Sequence, residues 1–259
     1  MTPLKRETQK PRGREGRRLG ERATLEVRFS WAMDLLWLAF QPIVGWRERC
    51  VFGYEALLRS SEPLMMNPAE ILEAAAKLGR IQQLGRAVRA AVAAAAPRAP
   101  AGTKLLVKLR SADLHDEDLY SAAAPLTTIA PRVVLEVTER ESVYGVKDVA
   151  ACVAKLKALG FRIAVDDLVA GTAGLTSLTQ LEPDIAKLDR ALVRDVDSNL
   201  RHRSAVSSTK RLCDNLGVSV IAEGVETPGE RDALARLGCD LLQGHLFARP
   251  RRGFEDPRW

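Results

Sequence analysis

The chain has 259 residues, of which 46% are hydrophobic, enough to bury one large core, and a single catalytic-sized domain is the expectation. The formal net charge is +6, yet residues 1–30 hold nine Lys/Arg against four Glu, so outside this stretch the chain is nearly neutral and charge alone is a weak argument for nucleic-acid binding. The four cysteines, at 50, 152, 213 and 239, show no CxxC pair and no His at zinc-ligand spacing, which excludes a zinc finger or ribbon and leaves reduced, buried small hydrophobes as their expected role.

Residues 1–30 have no apolar core of their own and read as a basic, disordered, solvated tail, whose simplest role is a flexible arm. The stretch lacks the continuous apolar segment of a signal peptide. The next run, "WAMDLLWLAFQPIVGW", is interrupted by Asp34, Gln41 and Pro42 and is too short to span a bilayer. It reads as core, and the protein as cytoplasmic.

From about residue 37, short β-rich runs alternate with helical patterns. The runs "LAFQPIV" and "VFGYEALLR" come first, separated only by "GWRERC", a hairpin rather than a helical crossover. Helical patterns follow in "NPAEILEAAAKLGR" and "QLGRAVRAAVAAAAP", then strands in "KLLVKLR" and "RVVLEVTE". After the helix pattern "VKDVAACVAKLKALG" come "RIAVDD" and "IAKLD", the helix pattern "SNLRHRSAVSSTKRLCDNLG", the strand "VSVIAEG", the helix "TPGERDALARLG" and a last strand "DLLQGHLF". Several helix patterns finish at Gly, and "TPGE" combines a Thr cap, Pro at the first helical position and Glu at the third. Eight strand candidates alternating with helices favour a closed (β/α)8 barrel in which one strand runs against the rest.

The polar residues in these strands fall in one place. Glu55, Glu136, Asp166, Asp167, Lys187, Glu223 and Gln243 sit in or just after successive apolar runs, and Glu139 and Glu226 follow three residues after Glu136 and Glu223. In a barrel that is the C-terminal face, where sites are assembled from several strand ends. A single acid after a strand is ordinarily a cap or a solvated residue. Five acids at the same end of four strands are different, because carboxylates gathered in one mouth repel one another and call for a cation. All-oxygen donors suit Mg²⁺ or Mn²⁺, and a pair of such ions is the usual arrangement for phosphodiester cleavage. The adjacent Asp166 and Asp167 would serve one site only where the strand's alternation breaks.

The motifs "QPIV" (41–44), "GYEALLR" (53–59), "LEVTER" (135–140), "VDD" (165–167), "IAKLDR" (185–190), "VIAEGVET" (220–227) and "LLQGHLFARP" (241–250) are collinear, and the sequence resembles the EAL domain family from about residue 37 to 252. The resemblance places an EAL domain at 31–255 and implies a modified (β/α)8 barrel with an antiparallel first strand. It also implies a Mg²⁺- or Mn²⁺-dependent phosphodiesterase, using as many as two ions, that opens cyclic di-GMP to pGpG in bacterial second-messenger signalling. By the same resemblance Glu55, Glu136 and Asp166 are the primary metal ligands, with Asp166 and Asp167 shared with a second ion. Lys187 and Glu223 position the nucleophilic water and complete the metal shell. Arg59 contacts phosphate, Gln41, Gln243 and Pro250 lie near the guanines, and Glu139 anchors the loop after "DD". A homodimer is a further family expectation, and any protein partner is unknown.

Two departures stand out. The family's "VNLS" is here "VKLR", so Lys108 and Arg110 replace a metal-ligand Asn and a Ser. A protonated Lys has three donors and no acceptor, and beside a divalent ion it is repelled by several kcal/mol even at an effective dielectric of about 20. Lys108 is therefore expected to pair with Glu55, Glu136 or Asp166 as a built-in counterion. After "DD" the family's "FGTGYSSL" is here "LVAGTAGL", with Val169 in place of a Gly in the loop that couples the site to the family's dimer interface. His245 stands where the family has Tyr, and a satisfied structural His is its expected role. The reading is an EAL barrel with impaired or conditional phosphodiesterase activity, ahead of a cyclic di-GMP receptor and of a protein-interaction module.

Overall fold

Each of the eight apolar runs becomes a strand: β1 (Leu36–Gly45), β2 (Cys50–Ser60), β3 (Lys104–Leu109), β4 (Val133–Thr138), β5 (Arg162–Leu168), β6 (Ile185–Leu188), β7 (Ser219–Ala222) and β8 (Leu241–Leu242). They close into a barrel in sequence order. Strand β1 is antiparallel to β2 and to β8, and every other pair is parallel. The fold is thus the modified (β/α)8 barrel with one reversed strand. This computed structural model describes residues 13–138, 149–168 and 172–259.

The helices among the described residues are α1 (Gly13–Asp34), α2 (Pro68–Leu78), α3 (Ile81–Ala95), α4 (Val149–Ala158), α5 (Thr172–Leu181), α6 (Arg190–Val193), α7 (Leu200–Asn215) and α8 (Pro228–Arg236). Helices α2 and α8 each start at a capping box, Asn67 with Glu70 and Thr227 with Glu230, followed by Pro. Between β3 and β4 the chain makes only short 3-10 turns, so the strand–helix alternation lapses there. None of the described helices is long and apolar enough to cross a membrane.

Helix α1 corrects the reading of residues 13–30 as disordered tail. Leu25, Phe29, Ala32 and Met33 recur at helical spacing and pack with Met65, Ile71, Ala75 and Leu78 in a second cluster beside the barrel. The Ser60 hydroxyl donates to the Ala32 carbonyl at 3.1 Å, tying the helix end to the end of β2. Residues 1–12 lie outside the described residues. One cysteine also differs from expectation: Cys213 and Cys239 are buried, but Cys50, at the β1–β2 hairpin, is exposed.

Inside the barrel an apolar layer is formed by Ile43, Leu106, Val134, Ala164, Ile185 and Ile221, with Leu241 against it. Side chains two positions apart on a strand share a face, so the next inward positions toward the C-terminal mouth follow from this layer. They are Lys108, Glu136, Asp166 and Lys187 on β3 to β6, with Glu223 and Gln243 just past the ends of β7 and β8. On the reversed β1 the same step runs backwards, from Ile43 to Gln41, and Gln41 pairs in register with Glu55 of β2. Every strand, or the residue just past it, therefore sends one polar side chain into a single layer above an apolar plug.

Candidate active site

The layer is buried and held together by charge. Glu136, Asp166 and Lys187 are 0% exposed, and Gln41, Glu55 and Gln243 are buried with them. Lys187 lies at the centre, its Nζ 2.5 Å from Glu136 Oε1 and 2.5 Å from Glu223 Oε1. The same ammonium is 3.5 Å from Glu55 and 3.5 Å from Asp166. Lys108 approaches from the rim, with Nζ 2.7 Å from Asp166 Oδ2 and 3.8 Å from Glu55 Oε1. Gln243 Nε2 donates to Glu55 Oε2 at 2.7 Å and to Gln41 Oε1 at 3.4 Å, and Gln41 in turn donates to the Ala248 carbonyl.

The adjacent aspartates reach the mouth together because β5 ends irregularly. Its pairing with β6 shifts register between Val165 and Leu168, and Asp167 adopts φ 56°, a left-handed conformation that Asp tolerates better than most residues. Asp166 stays buried and Asp167 is exposed. Carboxylate oxygens of Asp166, Asp167 and Glu223 come within 4.8 Å of one another.

Burial and charge act in opposition on these groups. Burial would raise the Asp166 carboxyl, but Lys187 and Lys108 hold it below the usual carboxylate range. Glu136 is pushed well above that range by burial, despite Lys187, and Glu223 is pushed up to about 7 by the same cause. Asp167, although exposed, is raised by partial desolvation at the mouth and by Asp166. Burial would favour the neutral amine in both lysines, yet the surrounding carboxylates overcome it: Glu136 and Glu223 first for Lys187, Glu55 and Asp166 for Lys108. Both ammoniums stay charged.

Two openings flank the layer. One is lined by Gln41, Glu55, Arg190, Glu223, Glu226, Gln243 and His245. There Arg190 lies across Gly224, where a Cβ would meet its Cγ at 2.4 Å, and pairs with Glu226 at 2.8 Å. His245 Nδ1 stands 4.0 Å from Glu226. The other opening, between β2, β3 and the helices α2 and α3, sets Arg59, Lys108 and Arg110 beside the apolar Leu72, Leu84 and Val88.

The structure thus gathers Glu55, Glu136, Asp166, Asp167, Lys187, Glu223, Gln41, Gln243 and Lys108 at one mouth, with Arg59 and Arg110 on its rim. Pro250 lies outside both openings, next to Arg251, which pairs with Phe40. Glu139 and Val169 lie outside the described residues. Sequence reasoning passed over Arg190, and also the support beneath β3. Arg89 is buried and bonds Asp113 at 2.6 Å and Asp116 at 2.5 Å, while Asp113 accepts the Arg110 N–H at 2.9 Å. These partners are 24 and 27 residues apart, and an Arg inside an Ala-rich helix gives no local signal of them.

The donor set matches a divalent ion in part. Glu136 Oε1 and Asp166 Oδ2 are taken by Lys187 and Lys108, but Glu136 Oε2 and Asp166 Oδ1 are buried without a hydrogen-bond partner. Such unmatched carboxylate oxygens suit a hard cation. Where Lys108 enters, however, the layer presents an ammonium in place of a donor oxygen.

Comparison with known proteins agrees with this geometry. The sequence profile of the EAL domain matches residues 27–250. The chain is 30% identical over 236 residues to the cyclic di-GMP phosphodiesterase NbdA of Pseudomonas aeruginosa, covering 87% of this chain and 30% of NbdA. It is 28% identical over 217 residues to BluF of Escherichia coli, a blue light- and temperature-regulated antirepressor, covering 82% of this chain and 53% of BluF. Among solved structures, Klebsiella pneumoniae BlrP1 with calcium and cyclic di-GMP superposes with a TM-score of 0.78 at 30% identity, covering 96% of this chain and 68% of that one. The chain spans about a third of the length of the first curated relatives it matches.

Proposed function

This chain belongs to the EAL domain family, and from that premise we propose that it binds cyclic di-GMP at the barrel mouth, in the cytoplasm, and that Lys108 holds its metal-dependent hydrolysis to pGpG to a low level. The observation that carries this reading is the Lys108 ammonium 2.7 Å from Asp166, in the same layer as Glu55, Glu136 and Lys187. NbdA, a phosphodiesterase, and BlrP1, bound to cyclic di-GMP, support the ligand class.

The chain's own groups suit a cyclic dinucleotide. Arg59, Lys108 and Arg110 line one opening and offer three cations to two phosphates. Gln243 has a buried amide oxygen without a partner, ready to accept from a guanine N–H, and Gln41 lies beside it. Lys187 and Glu223, 2.5 Å apart, are placed to orient an attacking water. A divalent ion held by Asp166, Asp167 and Glu223 supplies, when bound, Lewis acidity toward a phosphoryl oxygen and a more acidic water. Lys108 works against this, since its charge disfavours a second cation at Asp166.

Calorimetric titration of cyclic di-GMP in Ca²⁺, followed by chromatography of the mixture in Mg²⁺ or Mn²⁺, tests the reading. Binding with slow pGpG formation is expected, and Lys108→Asn should raise hydrolysis at least tenfold. Absence of binding would refute the ligand assignment, and an unchanged Lys108→Asn rate would refute the role given to Lys108.

A further inference from the structure

Lys108 enters the mouth from β3, and on its side the ammonium stands 2.7 Å from Asp166 of β5 and 3.8 Å from Glu55 of β2. On the other side Asp166, Asp167 and Glu223 bring one oxygen each within 4.8 Å of one another, a convergence not found for any other group of three or more metal-ligating side chains among the described residues.

Three acids near one another are not in themselves a metal site. The independent observation is Asp166, which is 0% exposed: Lys108 takes Oδ2 at 2.7 Å, while Oδ1 is buried without a hydrogen-bond partner. Lys187 stands 3.5 Å from Oδ1. A buried carboxylate with spare lone pairs, turned toward two further carboxylates, calls for a cation.

The charge balance shows what Lys108 changes, and its position shows where. Glu55, Glu136, Asp166, Asp167 and Glu223 face Lys108 and Lys187, a formal charge of −3 when all are ionised. With an amide in place of Lys108 it would be −4, which two divalent ions would balance. The extra fixed cation lowers the demand on one side only, the side where it sits.

We propose that Lys108 permanently takes the place of one divalent ion, so that this chain takes up a single ion, between Asp166, Asp167 and Glu223, instead of a pair. The inference deepens the function proposed above but rests on metal stoichiometry, which can be measured without nucleotide or turnover. Lys108 then acts as a positioning residue, holding Asp166 from one side and offering the rest of its charge to a ligand phosphate. Its side chain is 45% exposed, so part of the ammonium remains accessible from the mouth.

The test is titration of the full chain with Mn²⁺ to millimolar concentration, with free ion followed by electron paramagnetic resonance and bound metal counted after dialysis. One ion per wild-type chain is expected, two for Lys108→Asn and for Lys108→Gln, and one for Lys108→Arg, which restores the cation. Thermal unfolding of each variant confirms that it is folded. Two ions on the wild type, none at all, or one on both amide variants would overturn the proposal. If one ion is bound but cyclic di-GMP does not bind, the stoichiometry stands and the ligand assignment fails instead.

Discussion

Replacing Lys187 by Met would remove the centre of the polar layer while keeping most of its volume. Four carboxylates lie within 3.5 Å of this ammonium, and Glu136 and Asp166 are fully buried around it. Breaking a buried ion pair by deleting one partner costs about 3–5 kcal/mol, because a charge is left in low dielectric without compensation. Lys108 offsets a part of this for Asp166 and Glu55, but it is not among the near neighbours of Glu136 or Glu223, so the loss falls chiefly on those two. For a domain of this size about 3 kcal/mol corresponds to a fall in Tm on the order of 10 °C. The assay is urea and thermal unfolding of the single variant and of Lys187→Met combined with Glu136→Gln. Neutralising Glu136 in the Met background should recover part of the loss. An unchanged Tm for Lys187→Met, or a double variant that falls further than the single one, would refute the account of Lys187 as the layer's counterion.

Asp116 is held down to about 2 by its bonds to Arg86 and Arg89, against the opposing effect of burial. Its folded pKa lies below its unfolded one, so it contributes stability above about pH 4 that is lost as pH falls from about 4 to 2, on the order of 2 kcal/mol. Acid titration of unfolding should show this slope, and Asp116→Asn should flatten it. Burial pushes the Cys213 and Cys239 thiols up to about 11 and about 12. A thiol reagent at neutral pH should therefore label exposed Cys50 readily and reach those two only on unfolding, as mass spectrometry of the labelled chain would show. A Cβ on Gly244 would lie 2.0 Å from the Val225 carbonyl, beside the bond from Val225 N–H to Gln243. Gly244→Ala should cost about 2–3 kcal/mol and weaken cyclic di-GMP binding in calorimetry, because Gln243 must move with it.

The strands of the barrel were legible because each apolar run is short, β-rich and closed by a polar residue, and the hairpin at "GWRERC" announced the reversed strand. Residues 13–30 read as a tail for a definite reason. The core-facing stripe of Leu25, Phe29, Ala32 and Met33 is accompanied by Val27 and Trp31, both exposed, on the opposite side of the helix, so the apolar pattern blurs while the surrounding Arg residues dominate the composition. The site carboxylates were legible as residue types at strand ends, and the placement of Lys108 against Asp166 and Glu55 follows the expected pairing. What sequence could not carry was the shared support: Arg89 with Asp113 and Asp116, or Arg190 lying over Gly224 toward Glu226, each joining elements far apart in the chain.

The register explains why a lysine at this one position changes the chemistry without destroying the fold. Val107 and Leu109, its neighbours on β3, point outward into the core beneath the helices, and a lysine at either would bury an ammonium among apolar side chains. Position 108 faces inward and pairs in register with Glu136, in the layer that already holds more carboxylates than ammoniums. There a lysine lessens the like-charge repulsion on which divalent-ion binding depends. The consequence for this chain is that the group lending folding stability to the empty layer is the group that opposes its ion. Lys108→Asn should accordingly unfold at a lower temperature than the wild type without metal and regain that loss when Mn²⁺ is added, by the linkage between binding and stability. A variant more stable than the wild type in chelator would contradict the argument.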